Sequence, residues 1–497
     1  MITKTNFIEG MQCQRCFWFK YNNYKDSKED DPLAQQRLKD GEEVGQKIKE
    51  TFPKGIDIPF LGRDYSKMHK LTLDAINGGA EVIFEGSFLV GGVFIRVDVM
   101  KKTPNGWNIY EVKSSSSLKP EHKEDAGIQW YVLNQIKEIE LKDIYVTILN
   151  KENSKKDNYQ LKDFFEDKCL TEEVKINQQN ISDTLDNLIK VTKMDSPPQH
   201  RKSNHPNKSQ KCTFQEHCWP ESSNKKDSIF KLYRMRSKKK LSLYEQGIDT
   251  LSKIRTFSDL SDIQKTQIKS TVNNEEIVNK KIIKKFISTI SYPISYLDFE
   301  TYTEPIPSHY NQRPNERMPF QFSLHIQEDE STIIDAKTKS KEFLANHSTD
   351  PRQDIAEALL KDIPKKGTII TYHKSFEKGV IEELAKFSSD SEISSSLRAL
   401  NERIVDLKDP FADGGYYHPD FAGSFSIKKV LPALCEGDKN LDYDNLNIKN
   451  GGMASTAFRQ LKNMNENEVE TLRKDLRKYC WLDTYAMYAI YTKLLSI

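Results

Sequence analysis

The sequence predicts a multi-domain α/β protein, and three observations carry that expectation. At 497 residues the chain exceeds what one hydrophobic core ordinarily serves. Apolar strand-like runs at 294–299, 319–326 and 367–372 precede helical patterns, ending in the long amphipathic "NENEVETLRKDLRKYCWLDTYAMYAIYTKLL". Upstream, "GGVFIRVDVMKKTPNGWNIYEVKSS" reads as a β-hairpin, because two β-rich runs flank "TPNG" and Asn-Gly is a strong turn signal.

In chain order, residues 1–222 read as one α/β domain. "QQRLKDGEEVGQKIKETFP" is an early helix with a glycine pair, "VIFEGSF" a strand, then the hairpin, then the helical "EDAGIQWYVL". A polar, proline-bearing loop, "SPPQHRKSNHPNKSQKC", comes near the end. Residues 223–288 are polar, basic around "RMRSKKK" and helical, with "LSLYEQGIDTLSKI" predicting helix, Gly-Ile turn and helix. Residues 289–497 place strands first and helices later, which predicts a mixed sheet with helices packed on it.

Charged residues are 30% and hydrophobic ones 37%, the balance of a soluble globular protein and not of a disordered one. No run reaches the length of a membrane span, and "MITKTNFIEGMQC" lacks the apolar core of a signal peptide, so a cytoplasmic location without a membrane partner is expected. The net charge of +2 neither announces nor excludes nucleic acid. No P-loop occurs, so any unwinding needs a partner helicase or ATPase.

The first cluster with chemistry is Asp98, Glu111 and Lys113. With Asn105-Gly106 as the turn, Asp98 faces Lys113 and Met100 faces Glu111. A turn one residue earlier sets Asp98 opposite Glu111. Either way the three side chains share one face, because side chains alternate along a strand. Two carboxylates can hold Mg²⁺ or Mn²⁺ while the ammonium orients a water or meets developing charge; a wet cross-strand ion pair is the competing reading. Gln129 and Tyr131 follow on the next helix, and Glu85 lies upstream.

Four of the seven cysteines come as two close pairs, Cys13 with Cys16 and Cys212 with Cys218. Four thiolates bind a 4Fe-4S cluster or Zn²⁺; simple packing at a helix start is the alternative. Cys169, Cys435 and Cys480 stand alone and are expected in cores.

A second acidic cluster follows. "YLDFET" puts Asp298 and Glu300 on one face of a strand end, "YHKSFE" places Glu377 at the start of a helix, and Tyr479 and Asp483 are four apart on the last helix. Three acidic elements converging can hold a pair of metal ions that clamp the attacking and leaving oxygens of a phosphodiester.

The Asp, then Glu-x-Lys, then Gln-bearing helix resembles the RecB-like PD-(D/E)XK nucleases, whose restriction-endonuclease-like α/β/α fold it implies for residues 1–222. The matching positions are Asp98, Glu111, Lys113, Gln129 and Tyr131. The family's first-helix histidine has no counterpart near Gly41 to Gly45, and the resemblance leaves Glu43 or Glu85 to stand in for it. CRISPR-associated and AddB relatives carry a cysteine-held 4Fe-4S staple of one early and three late cysteines, here two and two. The second cluster resembles the DEDD exonucleases of the RNase H-like, DnaQ-like fold, with Asp298, Glu300, Glu377 and Asp483 as metal ligands and Tyr479 on the water. Glu377 replaces the family's Asp, and His373 lies where Asn is usual. Together the halves are similar to TM-type RecB family nucleases, whose helical middle carries a helix-hairpin-helix. The resemblance implies a metal-dependent nuclease on single-stranded DNA, duplex ends or RNA, with a nucleic-acid-binding scaffold subunit of a repair or defence complex as the alternative.

Overall fold

Alternating apolar residues from Val82 to Val112 fold into three consecutive antiparallel strands, the centre of the first of two compact units. The computed structural model describes residues 1–24, 32–199, 213–218, 225–435 and 441–497. The first unit comprises Met1–Phe214 and Glu304–Glu316, the second Gln215–Thr303 and Arg317–Ile497. Residues 225–288 thus cluster with the C-terminal part. Both units are mixed α/β.

The first unit holds β1 (Ile2–Thr3), β2 (Ile56–Asp57), β3 (Val82–Val90), β4 (Val93–Thr103), β5 (Gly106–Val112), β6 (Leu141–Leu149) and β7 (Phe165–Cys169), in the order β2-β3-β4-β5-β6-β7 with β1 beside β4. β5 and β6 run parallel, joined through the helix Pro120–Leu133. Such a crossover needs a helix to return the chain to the same edge of the sheet.

The hairpin takes the earlier of the two predicted turns. Thr103 pairs with Gly106 and Val99 with Tyr110, a register that continues to set Asp98 opposite Glu111, so the Asn105-Gly106 turn is corrected to Pro104-Asn105. Proline's fixed φ suits the first turn position and its missing N–H suits no ladder. Thr103 Oγ1 donates to the Gly106 carbonyl at 2.7 Å, and Gly106 has φ +112 with the Glu140 carbonyl 2.4 Å from where a Cβ would stand.

The second unit holds β8 (Ile277–Val278), β9 (Ile294–Thr303), β10 (Arg317–Gln327), β11 (Lys341–Leu344), β12 (Thr368–Thr371), β13 (Ile404–Asp406) and β14 (Tyr416–Tyr417). Its main sheet has the order β11-β10-β9-β12-β13, antiparallel through the first three and parallel from β9 onward. Alternation along β9 splits its residues between two cores. Leu297 and Phe299 join a cluster with Ile355, Val380 and Leu397 of three helices, while Tyr296 and Tyr302 pack toward Leu482 and Met487 of the 30-residue helix Glu466–Leu495. Asp298 and Glu300 share the parity of Tyr296 and Tyr302, so they face that long helix.

The predicted helical hairpin at "LSLYEQGIDTLSKI" is corrected in its second half. Ser237–Glu245 is a helix and Gly247 turns the chain at φ +82, but Leu251–Lys253 is a single 3₁₀ turn that buries Leu251. No helix among the described residues is long and apolar enough to cross a membrane.

Candidate functional site

The first unit brings Asp98, Glu111 and Lys113 together, as the strand parity predicts, and adds Gln129 from the following helix. Asp98 Oδ2 accepts from the Val112 N–H at 2.6 Å, tying the two central strands beside Glu111. Lys113 Nζ donates to Glu111 Oε1 at 2.6 Å, and Gln129 Nε2 to Glu111 Oε2 at 2.7 Å. Two members were not anticipated. Asp125, one turn before Gln129, accepts from Lys113 at 2.5 Å and from Gln129 at 3.1 Å. Lys4, at the start of the helix Lys4–Gln12, reaches both oxygens of Glu111 at 2.9 Å and Asp125 Oδ1 at 3.2 Å. The i, i+4 spacing of Asp125 and Gln129 was a readable signal for the first; nothing local marks Lys4.

Three carboxylates against two ammoniums leave one excess negative charge. Burial, with Asp125 and Asp98 adding repulsion, pushes Glu111 up to about 7. Burial also raises Asp98. Both lysines are opposed by burial, yet Asp125 and Glu111 outweigh it and hold them above the ordinary lysine value.

Two expected members stand elsewhere. Tyr131 lies 3.4 Å from Ser182 Oγ, because two residues beyond Gln129 is just over a half-turn round the helix. Glu85 pairs with Lys49 at 3.5 Å and Arg96 at 3.3 Å; its φ of +55 breaks the alternation that would aim it with its neighbours. Glu43 lies on the helix Pro32–Glu50, and no bond joins it to this cluster among those described.

Cys13 and Cys16 flank the start of the helix Gln14–Tyr21, where Cys13 Sγ accepts from the Cys16 N–H at 3.4 Å. Phe214 packs on Phe19 of that helix in a tilted ring pair, with centroids 4.9 Å apart. Cys212 lies outside the described residues, so the four-thiolate arrangement does too. Cys435 and Cys480 are buried as expected, whereas Cys169 is exposed.

In the second unit, Asp298, Glu300 and Asp483 each offer an oxygen within 4.8 Å of the others, the one group among the described residues with the spacing to hold a metal ion. With Glu377, Tyr479 and His373 they line a cavity of about 680 Å³. Glu377 arrives by a strained route. His373, at φ +95, turns β12 into the helix Lys374–Phe387, and Asp406 holds the turn by accepting from the His373 N–H at 2.9 Å and the Lys374 N–H at 3.0 Å. Glu377 is 2% exposed, and its Oε2 has no hydrogen-bond partner.

Tyr443, Lys428, Gly451 and Cys480 complete the site without a sequence signal. Tyr443 donates to Asp483 Oδ1, and the Lys428 ammonium lies over the rings of Tyr443 and Tyr479 at 5.1 and 5.7 Å. Gly451 brings the helix Gly451–Gln460 so close that a Cβ would stand 3.1 Å from Glu300 Oε2. Cys480 Sγ lies 3.8 Å from Asp298 Oδ2.

Among the described residues no lysine or arginine forms an ion pair with any of these four carboxylates. All four are accordingly raised. Burial comes first for each; it takes Glu377 to about 8 and Asp483 to about 6, while Asp298 and Glu300 rise further under their neighbours' repulsion. Tyr479 is pushed far up by burial and then Asp483, so it keeps its proton.

A family description, "Domain of unknown function (DUF2779)", matches residues 295–426, which contain Asp298, Glu300 and Glu377. Among curated proteins, "Uncharacterized protein MG366 homolog" of Mycoplasma pneumoniae is 28% identical over 210 residues, covering 39% of this chain and 31% of its own length. "Uncharacterized protein MG366" of Mycoplasma genitalium is 28% identical over 207 residues with the same coverage. "Uncharacterized protein UU173" of Ureaplasma parvum is 27% identical over 279 residues, 51% of this chain and 39% of its own. The chain thus spans about a third of the length of these relatives. No solved structure matches it.

Proposed function

We propose that the chain is a metal-dependent nuclease whose second unit hydrolyses phosphodiester bonds in the manner of a 3′–5′ exonuclease. The observation that carries this is the cluster Asp298, Glu300, Glu377 and Asp483, drawn from one strand and two helices, buried or half-buried, facing one cavity with no cationic side chain paired to it among the described residues. Buried carboxylates without an ion-pair partner are costly unless they coordinate cations, and an all-oxygen donor set suits Mg²⁺ or Mn²⁺. The partnerless Glu377 Oε2 fits a ligand waiting for its ion. The sheet order β11-β10-β9-β12-β13 supports an RNase H-like reading. The three antiparallel strands and the helical crossover of the first unit support a PD-(D/E)XK-like one.

When bound, divalent ions polarise the phosphate and acidify a water. The chain's own part is positioning. Tyr443 holds Asp483 by a hydrogen bond. The protonated Tyr479 hydroxyl, at the cavity wall, donates to and orients the nucleophilic water. Lys428, held over the two tyrosine rings, supplies positive charge beside the carboxylates for a phosphate.

The test uses end-labelled single-stranded DNA, duplex DNA and RNA with Mg²⁺ or Mn²⁺, on wild type, Asp298→Ala and Lys113→Ala. Asp298→Ala should remove shortening from the 3′ end, and Lys113→Ala should remove a separate metal-dependent cleavage while leaving the fold intact. Wild-type rates in both variants would refute both sites. Gly451→Ala is expected to slow the 3′ shortening with little change in melting temperature, because its methyl crowds Glu300; equal rates would show that Glu300 tolerates displacement. The cysteine pairs enter as a proposed 4Fe-4S staple, for which anaerobically purified protein should be coloured and contain iron. Colourless, iron-free protein favours zinc or no metal.

A further inference from the structure

We propose that Lys4 is a tethered cation that occupies the ion position of the first unit's site and must withdraw before a divalent metal can reach Glu111. The inference rests on reading Asp98 and Glu111 as metal ligands. A carboxylate offers about four lone-pair directions, and those of Glu111 are all taken. Oε1 accepts from Lys4 at 2.9 Å and Lys113 at 2.6 Å; Oε2 accepts from Lys4 at 2.9 Å and Gln129 at 2.7 Å. Lys113 and Gln129 approach from the strand and the helix that build the site, so they belong to its frame. Lys4 comes from outside that frame. It alone bridges Glu111 and Asp125 from the N-terminal segment, and it takes one acceptor position on each oxygen of Glu111.

The site also shows that it has capacity for a further ligand. Gln129 is fully buried, and its Oε1 has no hydrogen-bond partner although its Nε2 is committed to both acids. An amide oxygen in that state accepts from a metal-bound water or a cation and gains nothing from a lysine already placed elsewhere.

Lys4 can leave without unfolding the sheet. Its backbone is fixed, since Ile2 and Thr3 pair in parallel with Val93 and Phe94 and Thr3 Oγ1 caps the following helix by accepting from Asn6 N–H at 3.2 Å. The four-carbon stem beyond Cα is rotatable, and the side chain is 19% exposed, so a route to solvent exists. With Lys4 in, the chain's own lysines offset two of the site's three carboxylate charges; with Lys4 out, Glu111 regains lone pairs for a divalent ion. The two units then differ in how their carboxylates are balanced, the first by the chain itself and the second by ions taken from solution.

The experiment uses the full chain carrying Asp298→Asn and Asp483→Asn, so that the second unit's ion site is silenced, and counts bound Mn²⁺ by electron paramagnetic resonance. Adding Lys4→Met should tighten one Mn²⁺ site by about tenfold or more, on the scale that changes beside a metal ligand produce. Glu111→Gln on top should abolish that site, and Lys4→Arg, which keeps the tethered charge, should leave binding as weak as in the parent. A second measurement keeps Lys4 in place and so does not depend on how the methionine variant folds. Lys4 acylation by acetic anhydride, read by peptide mass spectrometry, should rise several-fold when Mn²⁺ binds. Glu111-dependent Mn²⁺ binding that Lys4→Met leaves unchanged or weakens, or that leaves Lys4 acylation unchanged, overturns the tethered-cation role while the metal site stands. Absence of Glu111-dependent Mn²⁺ binding in every variant overturns the metal-site reading, and this inference with it.

Discussion

Asp298→Asn is expected to make the metal-free protein more heat-stable than wild type while lowering its affinity for Mn²⁺ by roughly 10–100-fold or more. Most substitutions in a packed interior destabilise, so the opposite sign is informative. Asp298 sits among Glu300, Glu377 and Asp483, each of which raises its neighbours' carboxyl groups after burial has done so. Asparagine keeps the shape and removes an ionisable group whose charged form is disfavoured by burial and then by Asp483, Glu300 and Glu377. Sites that hold like charges together for function are characteristically stabilised by neutral substitution. Calorimetry in EDTA and a Mn²⁺ titration of the same samples decide the matter. A lower melting temperature with unchanged Mn²⁺ affinity would mean that Asp298 is a structural acid.

The second large effect is a pH dependence whose slope reverses on adding metal. In the unfolded chain the four carboxyls ionise near pH 4. In the folded chain burial holds Asp483 to about 6 and Glu377 to about 8, with Asp298 and Glu300 also raised. Between these values the folded state keeps protons that the unfolded state has released, so stability falls as pH rises. Their contribution is fully present below about pH 4 and is lost as pH passes the folded values, on the order of a few kcal/mol in total. Glu111, raised to about 7 in the first unit, adds in the same direction. Metal-free protein should therefore melt at a lower temperature at pH 8 than at pH 6. Saturating Mg²⁺ or Mn²⁺, which binds the deprotonated carboxylates and displaces their protons, should stabilise more at pH 8 than at pH 6. A flat melting temperature in EDTA across that range, or equal stabilisation by metal at both pH values, contradicts the assignment of these groups.

The local chemistry was largely legible because it depends on short periods. Alternation put Asp98 with Glu111 and Asp298 with Glu300, and the helical repeat put Tyr479 with Asp483, whatever the rest of the chain did. Where two short-range readings competed, local sterics chose between them, as when Pro104 claimed a turn position and shifted the hairpin by one residue. Tyr131 was misplaced by proximity in sequence to Gln129, which a helix converts into opposite faces.

By itself, then, the sequence determined a mixed α/β protein with two acidic clusters and the faces on which their strand and helix members lie. The tertiary structure alone decided what balances them. Lys4 meets Glu111 across 107 residues and Tyr443 meets Asp483 across 40, while Gly451 meets Glu300 through a helix packed on the sheet. No periodicity links such positions, because their approach is set by how sheets and helices close over a core. That closure leaves the first cluster paired with the chain's own lysines and the second as buried acids with an open side. Charge balance is a property of neighbours in space, and it is charge balance that separates the two sites.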